Sequence, residues 1–279
     1  MKTSTFLLLV LSIFAFGPIQ ATDFFAFKAE NCDYKTKHGM LHGDFSQNYP
    51  NGEKMVEGKF DHNQRVGTWN FYNLNGQLLE KRLYFNNLSY AIMHKGKKTW
   101  KEFDADGKWD LIRGRDVKFK QRLWKQVNKE NEGYLNIDKL VKTINSSTTG
   151  DFYAEERFID KIDKTQLSNI TSIQIKEDYI YDNERESMFV RTLGIGFVNS
   201  NNETVAWIYY PDWMASFKKV KTTWHNNDLD LRTLYDVFTL RAYNAKPYRQ
   251  GKEKLKDKSM AELELEMVHQ ENMFIIAKA

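Results

Sequence analysis

The strongest constraint in this sequence is a short pattern that it repeats. Gly43-Asp-Phe-Ser-Gln-Asn-Tyr-Pro-Asn-Gly52 returns as Gly67-Thr-Trp-Asn-Phe-Tyr-Asn-Leu-Asn-Gly76, 24 residues later. The same offset pairs Phe45 with Trp69, Phe60 with Tyr84 and Asn63 with Asn87. A worn third copy, Trp100-Lys-Glu-Phe-Asp-Ala-Asp-Gly107, follows the Trp69–Gly76 segment by 31 residues. Each unit reads as an aromatic strand, an Asn-Gly or Asp-Gly turn that needs positive φ, and a returning strand. One such hairpin is marginal in water, so the units have to stack into a ribbon. Residues 38–110 are thereby committed to antiparallel β structure.

The rest of the chain has the means to build a core. Of 279 residues, 41% are hydrophobic and 14% aromatic, which argues against disorder over the whole length. The formal charge is only +4, so charge gives no reason to expect nucleic acid or an anionic membrane as partner. The single cysteine, Cys32, excludes a disulfide framework and an all-cysteine zinc site within the chain. Residues 1–21 have the layout of a secretory signal peptide. Met1-Lys2 is positive, Phe6–Phe16 is apolar apart from Ser12, Gly17-Pro18 breaks the run, and Ala21 offers a small residue for cleavage. The expectation is an exported, soluble chain stabilised by packing alone, as suits a bacterial periplasm or cell surface. Residues 22–37 read as a linker.

From residue 111 to 250 the pattern predicts an α+β domain. Asp116 is positioned to cap a helix carrying Phe119, Leu123 and Val127 at intervals of four, with Trp124 beside them. Ile137, Leu140, Val141 and Ile144 predict a second helix. A three-stranded antiparallel meander follows. Ile173, Ile175, Tyr179 and Tyr181 mark its first strand, Met188–Leu193 its second and Val205–Tyr210 its third, with turns at 182–185 and 199–203. Gly194 and Gly196 suggest a bulge or a close backbone approach. Pro211-Asp212 opens a short helix through Phe217, and Asp228 caps a longer one with Leu231, Leu234, Tyr235 and Phe238 on its buried face. Residues 251–279 form a basic linker and then an amphipathic helix that starts at the Ser259–Glu262 capping box and carries Leu263, Met267 and Phe274. That helix would dock on its own domain or on a neighbouring subunit.

Chemistry-bearing motifs are sparse. His38 and His42 are four apart, but the Gly39 and Gly43 around them favour strand and turn over a metal-binding helix. Gly194-Ile-Gly196 is half of a dinucleotide fingerprint. Glu177, Asp178 and Asp182 read as a solvated strand face and turn rather than as catalytic carboxylates. No catalytic, cofactor or metal residues are therefore expected, and an enzyme is disfavoured. The aromatics stand out instead. Trp69, Trp100, Tyr209, Tyr210 and Trp213 are the candidate partner-binding residues, because exposed aromatics dominate interface hot spots.

Two resemblances bear on function. Gly67, Trp69, Tyr72 and Gly76 resemble the bacterial variant of the MORN-type repeat, which implies a scaffold or interaction surface over residues 38–110. Ile175-Lys-Glu-Asp-Tyr-Ile-Tyr-Asp182, Val190-Arg-Thr-Leu-Gly-Ile-Gly196 and Trp207-Ile-Tyr-Tyr-Pro211 resemble the gliding-motility and secretion family GldN/PorN. Leu231-Arg-Thr-Leu-Tyr-Asp-Val-Phe238 with Arg241, and more loosely Arg122-Leu-Trp124, fit the same family. That resemblance implies a non-catalytic component of the type IX secretion system of Bacteroidota, lying in the periplasm at the outer membrane. It would form rings or other homo-oligomers with a GldK/PorK-like outer-membrane lipoprotein and reach the membrane only through it. The alternative is an exported scaffold that binds carbohydrate or cell wall through the repeat aromatics.

Overall fold

The computed structural model describes residues 27–37, 39–86, 89–94, 97–102, 112–147, 151–154, 157–159, 164–222, 233–256 and 258–279. In chain order, β1 (Cys32–Asp33) is followed by a spur of two short paired strands, β2 (Thr36–Lys37) and β3 (Met40–Leu41). Six strands then run as a meander: β4 (Gly43–Asn48), β5 (Lys54–Asp61), β6 (Gln64–Tyr72), β7 (Leu78–Asn86), β8 (Ser89–His94) and β9 (Lys97–Glu102). With β1 beside β4 they make a seven-stranded antiparallel sheet. Residues 32–33 and 36–37, expected as linker, are thus strands.

The 24-residue period holds in the backbone. Gly52 N donates to Tyr49 O and Gly76 N to Asn73 O, while Tyr49 N bonds Glu53 O and Asn73 N bonds Gln77 O. Gly52 and Gly76 have φ of 89° and 73°, which an L side chain reaches only under strain. The paired aromatics also match: Phe45, Trp69, Phe60 and Tyr84 all lie in one buried cluster. Asn87 and the turn of the third copy, residues 103–107, lie outside the described residues.

The second sheet begins with a correction. Residues 117–128 are a strand, β10 (Val117–Asn128), where a helix was expected. A spacing of four at Phe119, Leu123 and Val127 fits a period of two as well as one of 3.6. The alternate positions Lys118, Lys120 and Arg122 break the tie, because a strand sends all of them to the other face. Next come α1 (Ile137–Ser146), β11 (Phe152–Ala154), β12 (Arg157–Ile159), β13 (Ile170–Asp182), β14 (Ser187–Asn199) and β15 (Thr204–Tyr209). They are followed by α2 (Tyr210–Phe217), α3 (Leu234–Thr239), β16 (Lys246–Gln250), β17 (Glu253–Lys254) and α4 (Met260–Lys278). The strands form one antiparallel sheet in the order β12-β11-β15-β14-β13-β10-β16-β17. The expected β13–β14–β15 meander is its centre, and the molecule is α+β.

Local chemistry explains the details. In β14 the register passes from Lys176↔Gly194 to Glu177↔Thr192, leaving Leu193 as the extra residue of a bulge. Gly196 lies under an indole, and a Cβ there would sit 2.6 Å from the Trp207 ring. The Asn136 side chain caps α1, which buries Ile137, Leu140 and Ile144. Thr233 and Asp236 form a capping box at the start of α3, the role expected of Asp228; Asp228 and Leu231 lie outside the described residues. These helices cover one end of the sheet around Ile173, Ile175, Ile195 and Phe197, and Met40 of the ribbon spur inserts into the same core.

The C-terminal helix holds the two sheets together. The Ser259–Glu262 capping box starts α4 as expected. Leu263 and Met267 pack on Leu123 and Tyr179 of the eight-stranded sheet. Leu265 and Ile275 pack on Phe45, Phe60, Trp69 and Phe71 of the ribbon. A helix that is apolar on several sides has to be enclosed, and α4 is enclosed by its own chain. No helix among the described residues is long and apolar enough to cross a membrane.

Candidate functional site

The functional residues suggested by the sequence divide sharply by exposure. Trp69 is 0% exposed, its ring lying against Gly58 and between Phe45, Phe60 and Tyr84. Tyr210 and Trp213 are buried with Phe217 and Phe238 under the sheet. All three are therefore core residues and are not available to a partner in this fold. Tyr209, at the end of β15, is 41% exposed. The strand position of Trp100 is described, opposite Ala91, but its side chain is not. A sugar-stacking role for Trp69 is overturned by its burial.

The carboxylates expected on a solvated face are also buried. Glu177 is 0% exposed, and Asp178 and Asp182 are buried on the opposite face of β13. Each has a cation. Lys125 Nζ lies 2.5 Å from Glu177 Oε2, Arg122 Nε and Nη2 chelate Asp178 at 2.7 and 2.9 Å, and Arg185 Nη1 lies 2.8 Å from Asp182. Burial raises the Asp178 carboxyl, but Arg122 and Lys120 outweigh it and hold it below its ordinary value.

The polar groups that converge most closely do so around α4, in two clusters. The first joins Lys125 of β10, Glu177 and Tyr179 of β13, Arg241 and Tyr243 after α3, and Glu264 of α4. Lys125 Nζ donates to Tyr179 OH at 2.9 Å, and Tyr179 OH donates to Glu264 Oε1 at 2.5 Å. Arg241 Nη1 reaches the same Glu264 oxygen at 2.5 Å and Tyr179 OH at 2.7 Å, while Tyr243 OH donates to Glu177 Oε1 at 2.5 Å. Burial alone would raise the Glu264 carboxyl; Arg241 and Lys125 overcome that and lower it. The Tyr179 and Tyr243 hydroxyls are pushed up by burial and by the carboxylates beside them, so both stay protonated.

The second cluster spans the sheets. Arg65 of the ribbon donates through Nε and Nη2 to Glu271 Oε2 at 3.2 and 3.0 Å, and through Nη2 to Asn272 Oδ1 at 2.7 Å. Its guanidinium lies 4.0 Å from the Trp69 ring centroid. The other Glu271 oxygen accepts from Met188 N at 2.9 Å, on β14 of the eight-stranded sheet. Gln47 of the ribbon pairs with His269 at 2.8 Å and accepts from Asn272 at 3.1 Å. Nearby, Arg82 of the ribbon donates to Glu186 O at 2.7 Å, directly across the seam. A cavity of about 200 Å³ lies between the clusters, lined among others by Arg65, Tyr84, Met188, Arg241, Glu264 and Glu271.

Chemically this arrangement is matched in charge. Cations and carboxylates are matched in pairs, and the hydroxyl of Ser187 is engaged with Glu271 at 3.3 Å. Such a network fixes how α4 seats between the sheets rather than poising a reactive group. The sequence signal for it was Glu264 between Leu263 and Leu265: carboxylates among buried apolar neighbours need partners. His38 lies outside the described residues, and His42 is brought instead beside Asp61 and His62.

A family model described as gliding motility associated protein GldN matches residues 116–278. The match begins at β10 and ends in α4, so it contains the eight-stranded sheet and the connecting helix and leaves out the ribbon. A search of curated proteins found no match.

Proposed function

The chain belongs to the family of gliding motility associated GldN proteins, and from that premise we propose that it is a non-catalytic subunit of the periplasmic type IX secretion and gliding assembly. Membership makes it a component of gliding motility and type IX secretion, in a family of structural proteins. The finer reading is that it self-associates and binds an outer-membrane lipoprotein of the GldK/PorK kind, at the periplasmic side of the outer membrane. The family match across β10–α4 carries this reading. Support comes from the way the family's segment and the ribbon share α4, which adds a β surface to the family's segment. Tyr209 is the partner-binding residue proposed for the module, since it is exposed at the edge of the central meander.

Gel filtration with light scattering, alone and with the lipoprotein, tests the proposal. Oligomers or a stable complex are expected, weakened by Tyr209→Ser without loss of stability. A strict monomer that ignores the lipoprotein would overturn it.

A further inference from the structure

The geometry points to a divalent-cation site of the zinc class formed by His42, Asp61 and His62, on the ribbon where it meets the eight-stranded sheet. One ligand atom from each of the three residues lies within 4.8 Å of the other two. His62 Nδ1 is 2.5 Å and His42 Nδ1 3.2 Å from the same oxygen, Asp61 Oδ1. The two rings stand edge to face with centroids 4.9 Å apart. Bonds of about 2.0–2.1 Å at tetrahedral angles keep ligand atoms roughly 3.3 Å apart. The His42–Asp61 separation already has that value. The His62–Asp61 pair would open by roughly 0.8 Å as its hydrogen bond gives way to the ion.

Two features distinguish this from a buried histidine satisfied by a neighbouring carboxylate. That explanation accounts for His62, which is 1% exposed and bonded to Asp61. It leaves His42 unexplained. Its Nδ1 is buried and faces Asp61 at 3.2 Å, yet off the line of a hydrogen bond. Both imidazoles thus aim Nδ1 at one carboxylate oxygen, which only one of them uses. The backbone also holds the three residues in place. His62 and Asn63 form a two-residue turn between β5 and β6 with φ of 49° and 66°. Asn63 N donates to Leu41 O at 2.9 Å, and Asn63 Oδ1 accepts from Leu41 N at 2.7 Å, so the turn is clamped to the residue preceding His42.

The donor set selects the ion. Two imidazole nitrogens and one carboxylate oxygen suit Zn²⁺ and similar borderline cations rather than Ca²⁺ or Mg²⁺, which take oxygen. Asp61 and His42 are partly exposed, which leaves a route for entry and a fourth position for water. The ion would tie the β5–β6 turn to the β3–β4 junction. Met40 of β3 sits in the core beneath the eight-stranded sheet, so the tie would brace the ribbon against the family module.

Titration of the chelator-treated full chain with Zn²⁺, followed by calorimetry, tests this. One Zn²⁺ per chain is expected, with Mg²⁺ failing to compete and Co²⁺ giving the visible absorption of a tetrahedral complex. His42→Ala and Asp61→Asn should each weaken binding at least tenfold. Because both side chains are partly exposed, the metal-free urea midpoint checks that each variant folds. His42→Gln provides a second variant should His42→Ala misfold. The wild type binding no Zn²⁺, or binding it as tightly as the His42→Ala/Asp61→Asn double variant, would overturn the site.

Discussion

Replacing Glu271 with Gln probes the joint between the two sheets with the least change in shape. The carboxylate receives two donors from Arg65 at 3.2 and 3.0 Å, Met188 N at 2.9 Å and Ser187 Oγ at 3.3 Å. Gln keeps the volume but turns an NH₂ group toward one of these sets of donors, and it leaves the Arg65 charge buried without its counter-ion. Arg65 and Glu271 are 7% and 6% exposed, so water does not replace the lost partner. Breaking a buried pair of this kind costs about 3–5 kcal/mol. That lowers the folding constant by about two to three and a half decades.

The Coulombic argument also predicts the sign of a double-mutant cycle. Arg65→Met alone leaves a buried carboxylate with only neutral donors. Arg65→Met/Glu271→Gln removes both charges and should be less destabilising than Glu271→Gln alone, so the coupling exceeds the cost of Arg65→Met itself. Urea denaturation followed by tryptophan fluorescence and by far-UV circular dichroism measures all four forms. The two probes should move together, because Glu271 touches both sheets. A Glu271→Gln cost below about 1 kcal/mol, additive with Arg65→Met, would refute the reasoning.

Three further outcomes are expected. Gly58→Ala places a Cβ 2.2 Å from the buried Trp69 ring and should lower stability by about 1–3 kcal/mol or more, read as a drop in the urea midpoint at unchanged slope. Asp178 and Glu264 bind fewer protons in the folded chain than in the unfolded one across the ordinary carboxylate range. Their contribution to stability is therefore complete above that range and lost as pH falls through their depressed folded values; Asp178→Asn should flatten the fall of the melting temperature below about pH 4. Burial pushes the Cys32 thiol up to about 12, so a thiol reagent at pH 8 should label native protein at least tenfold more slowly than protein in urea.

How far the fold could be read ahead of its coordinates depended on range. The hairpin turns were legible because Asn-Gly pairs and positive φ act within four residues, and Gly52 and Gly76 adopt the expected conformation. The meander was legible for the same reason. The strand at 117–128 was not, since spacing by four satisfies both periods and only the cations at 118, 120 and 122 argued for a sheet. The site was least legible of all. Arg65 meets Glu271 and Lys125 meets Glu177 and Glu264 across large sequence separations, and composition alone cannot announce such pairings. Aromatic richness misled in a specific way: Trp69, Tyr210 and Trp213 were candidates for an interface and are instead interior, whereas the charged residues of the tail supply the contacts that matter.

The position of α4 after both sheets in the sequence also dictates an order of events. Gln47 and His269 touch across 222 residues, and the aromatic face of the ribbon has no cover until residues 260–278 arrive. A polypeptide emerging N-terminus first must therefore carry an uncapped hydrophobic ribbon until α4 has followed it. Closure of the joint between the sheets waits for residues 260–278. A chain that lacked residues 260–278 would leave the aromatic face of the ribbon and the Leu123–Tyr179 face of the eight-stranded sheet without that cover.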